Sequence, residues 1–134
     1  MYTTMKKAVS DGYLFHWWRK AIRVVFQNRC VVCKQPEDYR CLECHHIIKR
    51  THFITRWDWR NGVLVHTGDC HSYAASKKGE EELIARTNPY YEQLGNLELV
   101  TKKEYLQVEG MTENEFRQRT LKELKEKVGE LIEV

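Results

Sequence analysis

The hydrophobic positions at the start of the chain recur at a helical spacing. Leu14, Trp17, Trp18, Ala21, Ile22, Val25 and Phe26 fall three and four apart, with Arg19, Lys20 and Arg23 on the other face. The spacing predicts an amphipathic helix over 11–27, with Ser10 able to cap its start and the tryptophans in a core. Residues 28–66 lose this period. They hold CVVC, a Gln-Pro-Glu-Asp turn signal, a short apolar strand near 39–43, a polar loop and the strand-like run GVLVH. A short helix is expected from Asp69, which can cap it, through HSYAASKK, and another after Gly79 through EEELIARTN. Asn88-Pro89 should end the latter, and Pro89 suits the first position of a helix PYYEQL. Thr101 with Glu104, and Thr112 with Glu115, form two capping boxes that open a short and a long helix. Along the long one, Phe116, Leu121, Leu124, Val128, Leu131 and Ile132 form an apolar stripe. Such a stripe either packs on its own domain or pairs two copies of the chain.

Length suits one domain over 1–134, in three segments: the helix at 11–27, a central segment at 28–78 and a helical extension at 79–134. Hydrophobic residues at 42% and charged residues at 31% are ordinary for a soluble globular chain. No apolar run reaches membrane-span length and no secretory signal is evident, so no membrane partner is expected and the cytoplasm is the expected location. A net charge of +3 is too small to argue for nucleic acid, but its distribution is uneven. Between 45 and 78, Lys49, Arg50, Arg56, Arg60, Lys77 and Lys78 stand against only Asp58 and Asp69. A solvated loop also shows such an excess; this one sits beside a group of histidines.

Five cysteines, an odd number, without an export signal argue against a disulfide framework and for metal or redox chemistry. A thioredoxin-like CxxC would open a helix after a strand, whereas Cys30 follows a helix. Cys30-x2-Cys33 is therefore half of a tetrahedral zinc site. The other half is either His66-x3-Cys70 or Cys41-x2-Cys44. The first choice ties residue 30 to residue 70 and clips the whole segment between them. The second closes a small knuckle and leaves Cys70 idle. The set Cys30, Cys33, His66 and Cys70 is favoured. Cys41 and Cys44 are then buried thiols that pack like small apolar groups, with the all-cysteine set as the alternative.

His45 and His46 are chain neighbours, and neighbours in a strand point to opposite faces. They can serve one phosphate only if strand geometry ends at or just before them. If the two side chains lie on opposite faces of a continuous strand, a role for His45 in such a shared site is wrong. The stretches CVVC, LECHHIIKR, TRWDWRNGVLVH and DCHSYA resemble an HNH nuclease of the His-Me finger superfamily, over about 26–78. The TRWD-x2-N stretch is similar to phage-type HNH proteins, including the NinG-like recombination group.

The resemblance implies an α+β fold: a small zinc-stapled ββα-metal core with flanking N-terminal and C-terminal helices. It implies His46 as general base, His45 and His71 as ligands of a catalytic divalent metal, and Asn61 as the residue that holds the loop and orients the base. It implies DNA as substrate, nicked to 5′-phosphate and 3′-hydroxyl ends, in a bacterial or phage-infected cell. The chemistry is coherent, since a neutral imidazole can take a proton from water near neutral pH and a divalent ion offsets charge on the phosphate. Many relatives carry aspartate where this chain has His45. Two imidazoles form a softer site than magnesium prefers, so manganese or nickel stand beside magnesium as candidates. The basic residues Lys49, Arg50, Arg56, Arg60, Lys77 and Lys78 then become candidate phosphate contacts. His16 and His52 read as structural or surface residues, with His52 a lesser candidate for phosphate. The rivals are a non-catalytic zinc module that binds nucleic acid or protein, and an accessory recombination factor acting on branched DNA. A monomer, or a homodimer through the C-terminal helix, is expected.

Overall fold

A computed structural model describes residues 8–36 and 41–132, with side chains through 129. The first helix, α1, spans Asp11–Val25 and buries Leu14, Trp18, Ala21 and Ile22, as the hydrophobic spacing requires. The Ser10 side chain accepts the Tyr13 N–H at 3.2 Å and caps it. It stops two residues earlier than expected, because Gln27 and Asn28 turn into the left-handed region at φ 53° and 56°. The chain then folds back through a tight turn at Cys30–Cys33, with the Lys34 N–H on the Cys30 carbonyl at 2.9 Å.

Two antiparallel strands follow, β1 at Leu42–His46 and β2 at Gly62–His66. The apolar strand expected near 39–43 thus begins later; positions 39 and 40 lie outside the described residues. The register pairs Leu42 with His66, Cys44 with Leu64, His45 with Val63 and His46 with Gly62. Gly62 has a steric reason. A Cβ there would meet Ile22 Cδ1 at 2.6 Å and Trp18 Cζ2 at 2.7 Å, so α1 can lie close on this side of the sheet.

Helix α2, Asp69–Ala75, crosses the other side. Asp69 is not its cap, contrary to expectation: Gly68, at φ 89°, holds that position and Asp69 is the first helical residue. The expected run through HSYAASKK is broken at Ser76. Its hydroxyl accepts the Gly79 N–H at 3.0 Å and starts α3, Lys77–Gly79. Gly79 sits so close to α2 that a Cβ would lie 1.8 Å from the Tyr73 carbonyl oxygen. The next turn, Glu80–Ile84, is π-helical and leads into α4, Ala85–Thr87. Pro89 falls in a turn, and α5 begins only at Tyr91, spanning Tyr91–Glu98.

Both threonines cap their helices, and the reciprocal box is complete at Thr112 and Glu115, while the Glu104 carboxylate accepts the Thr101 hydroxyl. Thr101 caps α6, Lys102–Glu109. Thr112 accepts the Glu115 N–H at 3.1 Å while Glu115 accepts the Thr112 N–H at 3.0 Å, opening α7, Glu113–Ile132. Phe116, Leu124 and Val128 of its stripe are buried in the core that also holds Trp18, Ile22, Leu64 and Trp57, and α7 packs on α1. Leu131 and Ile132 lie beyond the described side chains. The result is an α+β fold with one two-stranded sheet, α1 and α2 on its two sides and helices flanking it. Among the described residues no helix is long and apolar enough to cross a membrane.

Candidate metal centre and adjoining histidine site

The turn after α1, the end of β2 and the first turn of α2 meet at one point. There Cys30, Cys33, His66 and Cys70 bring one donor atom each to within 4.8 Å of one another. His66 Nδ1 lies 3.1 Å from Cys33 Sγ. Tetrahedral zinc, with Zn–S bonds of about 2.3 Å, sets its donors about 3.8 Å apart, so a small contraction would close the shell. The backbone prepares for thiolate charge. Val32 and His66 N–H groups point at Cys30 Sγ at 3.4 and 3.5 Å. Burial pushes the Cys30 thiol up, but the Cys33, His66 and Val32 N–H groups, with the Cys70 thiol, outweigh it and bring the thiol down to about 7. Burial and the neighbouring Cys30 and Cys33 sulfurs push Cys70 up to about 11. A shared cation would relieve the crowding of sulfurs that raises Cys70. The cluster could thus hold a metal ion such as zinc.

Cys41 and Cys44 stay outside this cluster. Cys44 packs beneath α1, with its Sγ 3.8 Å from the Arg19 carbonyl and its thiol pushed up to about 11 by burial. Cys41 is exposed, so the expectation that both thiols are buried is corrected for this one.

Cys70 and His71 are neighbours on α2, where successive side chains turn by about 100°. Cys70 faces the cluster, and His71 faces β1. His71 Nδ1–H donates to the Glu43 carboxylate at 2.8 Å, leaving Nε2 as the lone-pair atom of the neutral ring. The His45 ring lies against it, with centroids 5.1 Å apart. Burial lowers the pKa of His45; His71 and His46 lower it further, and Glu80 opposes them. Glu43 is absent from the sequence-based set. Its signal was the period of two that puts it on the face of His45.

His46 lies elsewhere. Strand geometry does not end before the pair; the ladder runs through both histidines, and the expectation that it would stop is corrected. The physical reason is that Gly62 opposite His46 lets α1 close over the strand end, so nothing forces a bend. Alternation then sends Glu43 and His45 toward α2, and Cys44 and His46 toward α1. The two rings therefore do not share a face. His46 stacks on Trp18, with centroids 4.0 Å apart and planes 8° apart, and Phe15 meets it edge-on at 5.8 Å. Its Nε2–H donates to the Arg56 carbonyl at 2.8 Å, which fixes the tautomer and leaves Nδ1 as the lone-pair atom. Burial lowers its pKa; that hydrogen bond opposes, and Arg50 and Arg19 lower it again.

The loop that offers this carbonyl is held by Asn61, which is fully buried. Its Oδ1 accepts the Ile48 N–H at 2.6 Å, and its Nδ2 donates to the Ile48 and Thr55 carbonyls at 3.1 and 3.0 Å. Trp18 adds a second clamp through its Nε1–H on the Asp58 carbonyl at 2.8 Å.

The basic residues divide. Lys49, Arg50, Lys77 and Lys78 are exposed. Arg56 pairs with Asp11 and lies 4.0 Å over the Trp57 ring, and Arg60 is bound to Asp58 at 2.9 Å. His52 reaches the Leu97 carbonyl at 3.0 Å, and His16 is exposed beside Trp17. Comparison with protein-family profiles, with curated proteins and with solved structures found no match for this chain.

Proposed function

We propose that the chain is a zinc-stapled, metal-dependent DNA endonuclease of the HNH type. The observation that carries the reading is the Asn61-held loop, which keeps His46 as the Nε2–H tautomer with Nδ1 available to take a proton. In this reading Cys30, Cys33, His66 and Cys70 hold a structural zinc, which fixes the first turn of α2 and with it His71. His45 and His71 Nε2 would hold a divalent ion such as magnesium, manganese or nickel, with Glu43 orienting His71. Such an ion, when bound, supplies positive charge for the phosphate oxygens. His46 Nδ1 takes the proton of the attacking water, and exposed Lys49 and Arg50 position the backbone. Because the two histidines face opposite ways, the scissile phosphate would have to lie across the end of β1, where His46 is the last strand residue.

The test is plasmid nicking with magnesium, manganese and nickel, with end analysis for 5′-phosphate and 3′-hydroxyl. Nicking by the wild type in at least one metal, lost in His46→Ala, is expected. If the wild type nicks no better than His46→Ala in every metal, the reading is wrong.

The opposite-face placement favours a second reading, a non-catalytic zinc module that binds nucleic acid or protein. There His46 is a stacked core residue. Metal counting separates the two. The nuclease binds one tight zinc plus a weaker exchangeable ion that is lost in His71→Ala; the module binds zinc only.

A further inference from the structure

Residues 12–36 carry five Lys and Arg and no Asp or Glu. Helix α1 turns Leu14, Trp18, Ala21 and Ile22 into the core, and leaves Arg19 and Lys20 exposed and Arg23 half-buried on its outer side. Lys20 is already engaged, with its Nζ 4.7 Å over the Trp17 ring. Arg19 and Arg23 are not. Among the described residues neither has a carboxylate or side-chain hydrogen-bond partner, and the Arg23 Nε is buried without an acceptor. Four residues apart, they share one ridge of the helix, about 6 Å apart along its axis. Like charges at that spacing repel, and no acid of the helix offsets them. The place of the compensating anion is left to something outside the chain. The ridge runs along the α1-facing side of β1. There Cys44 Sγ lies 3.8 Å from the Arg19 carbonyl, and burial raises its thiol while the Arg23 and Arg19 charges oppose. Two residues on, beyond burial, Arg50 and Arg19 both act on His46. Arg50 comes from the loop after β1, and its guanidinium carbon lies 5.8 Å from the Phe15 ring that meets His46 edge-on. It too has no carboxylate partner among the described residues. Arg23, Arg19 and Arg50 thus form a row that reaches His46 from two elements. Each guanidinium presents a planar fork of N–H donors that matches phosphate oxygens. Three unpaired forks in a row fit a repeating anion better than a lone carboxylate.

We propose that this face of α1 is a docking surface for the phosphate backbone of duplex DNA, with Arg23 and Arg19 on phosphates of the strand that passes between Arg19 and Arg50 at His46. The proposal rests on the nuclease reading for its nucleic-acid partner. It extends the phosphate contacts from the loop onto α1, and it sets the direction in which the strand approaches.

The probe is a short fluorescein-labelled DNA duplex, read by anisotropy across a salt series with the zinc-loaded full chain and no added catalytic metal. Arg19→Glu and Arg23→Glu should each weaken binding roughly 10-fold, whatever the duplex sequence, and lower the slope of log affinity against log salt by about one. Arg19→Gln and Arg23→Gln should lower the slope alike with a smaller loss of affinity, and they carry the test should a charge reversal disturb the helix. Circular dichroism and zinc content check the fold of each variant. Lys103→Glu, the same change of charge at an exposed position of α6, should bind within about 2-fold of the wild type. An equal loss in Lys103→Glu overturns the proposal, because the effect would then be one of net charge and not of this face. Wild-type affinity and salt slope in folded Arg19 and Arg23 variants overturn it as well. Plasmid nicking is read in parallel. If no metal supports nicking while duplex binding is present and lost in Arg19→Glu and Arg23→Glu, the nuclease reading falls and this surface stands. If the Arg19 and Arg23 variants nick and bind like the wild type, the nuclease reading stands and this surface falls.

Discussion

On the α2 side of β1, His45 meets a second imidazole and, through it, the Glu43 carboxylate. On the α1 side, His46 meets a parallel indole, a phenyl edge and a loop carbonyl. Burial holds both rings below the usual histidine pKa, so it does not distinguish them. Their neighbours do. The α2 side gathers imidazole lone pairs with Glu43 and Glu80 close by, a setting that favours a cation. The α1 side brings the cations Arg19 and Arg50 toward a ring whose tautomer is fixed, a setting that keeps it neutral. One residue of strand parity is enough to make two chemical environments.

The largest break removes what both sides share. Under the proposed reading, Cys30→Ser or Cys70→Ser, or a strong chelator, should unfold the sheet and α2 together, because structural zinc contributes on the order of 10 kcal/mol in small zinc domains. Circular dichroism with zinc stoichiometry checks this. Retention of the wild-type fold after complete zinc loss would mean the cluster is not a staple. In contrast, Cys41→Ser should leave zinc content and fold unchanged, since Cys41 is exposed and outside the cluster.

The next effect separates the two sides. Under the proposed reading, His45→Ala and His71→Ala should raise the metal concentration needed for nicking, whereas His46→Ala should leave that concentration unchanged and lower the rate by about 10²–10⁴-fold. Metal titrations of the nicking rate give both quantities. The same metal dependence in all three variants would erase the distinction between the sides.

Asn61 ranks below these. Asn61→Ala removes a fully buried amide that serves Ile48 and Thr55. An unsatisfied buried group costs about 1–3 kcal/mol, so a loss of about 3 kcal/mol is expected for the set. Urea unfolding measures it. The loss should loosen the α1 side first, because the freed loop carries the Arg56 carbonyl that holds His46.

Much of this was legible because some physical constraints are local. Helical spacing located α1, and two capping boxes located α6 and α7. The cysteine and histidine spacings selected the cluster because four-fold ligation needs two pairs of donors. What escaped depended on backbone approaches that sequence does not display. The break at Ser76 follows the Ser76 cap and the fit of Gly79 against Tyr73, and the helix start at Gly68 follows a positive φ. The strand end differs for another reason: the plain period of two runs through both histidines, whatever a shared site would demand, and it puts Glu43 on the side of His45.

The smallest prediction concerns how α1 is tied to the rest. Asp11 accepts Arg117 from α7 at 2.6 Å and Arg56 from the loop at 3.4 Å. The Arg117 hydrogen bond, with burial opposing and Arg56 assisting, holds its carboxyl below the usual carboxylate value. A carboxyl depressed in the folded state favours folding most above its unfolded value of about 3.9, and the benefit fades as pH falls through the lower folded value. The side chain is half exposed, at 52%, so screening limits the pair to about 0.5–1 kcal/mol. Asp11→Asn should therefore be less stable than wild type at pH 7, with the two curves meeting at the acid end. Urea midpoints measured from pH 7 to pH 2 in low salt would show the convergence. A constant offset across that range would assign the effect to the helix start and not to the ion pair. Because Arg56 also carries the carbonyl that fixes His46, any change in His46 chemistry in Asp11→Asn would show that the α1 side is coupled to α7 through this link.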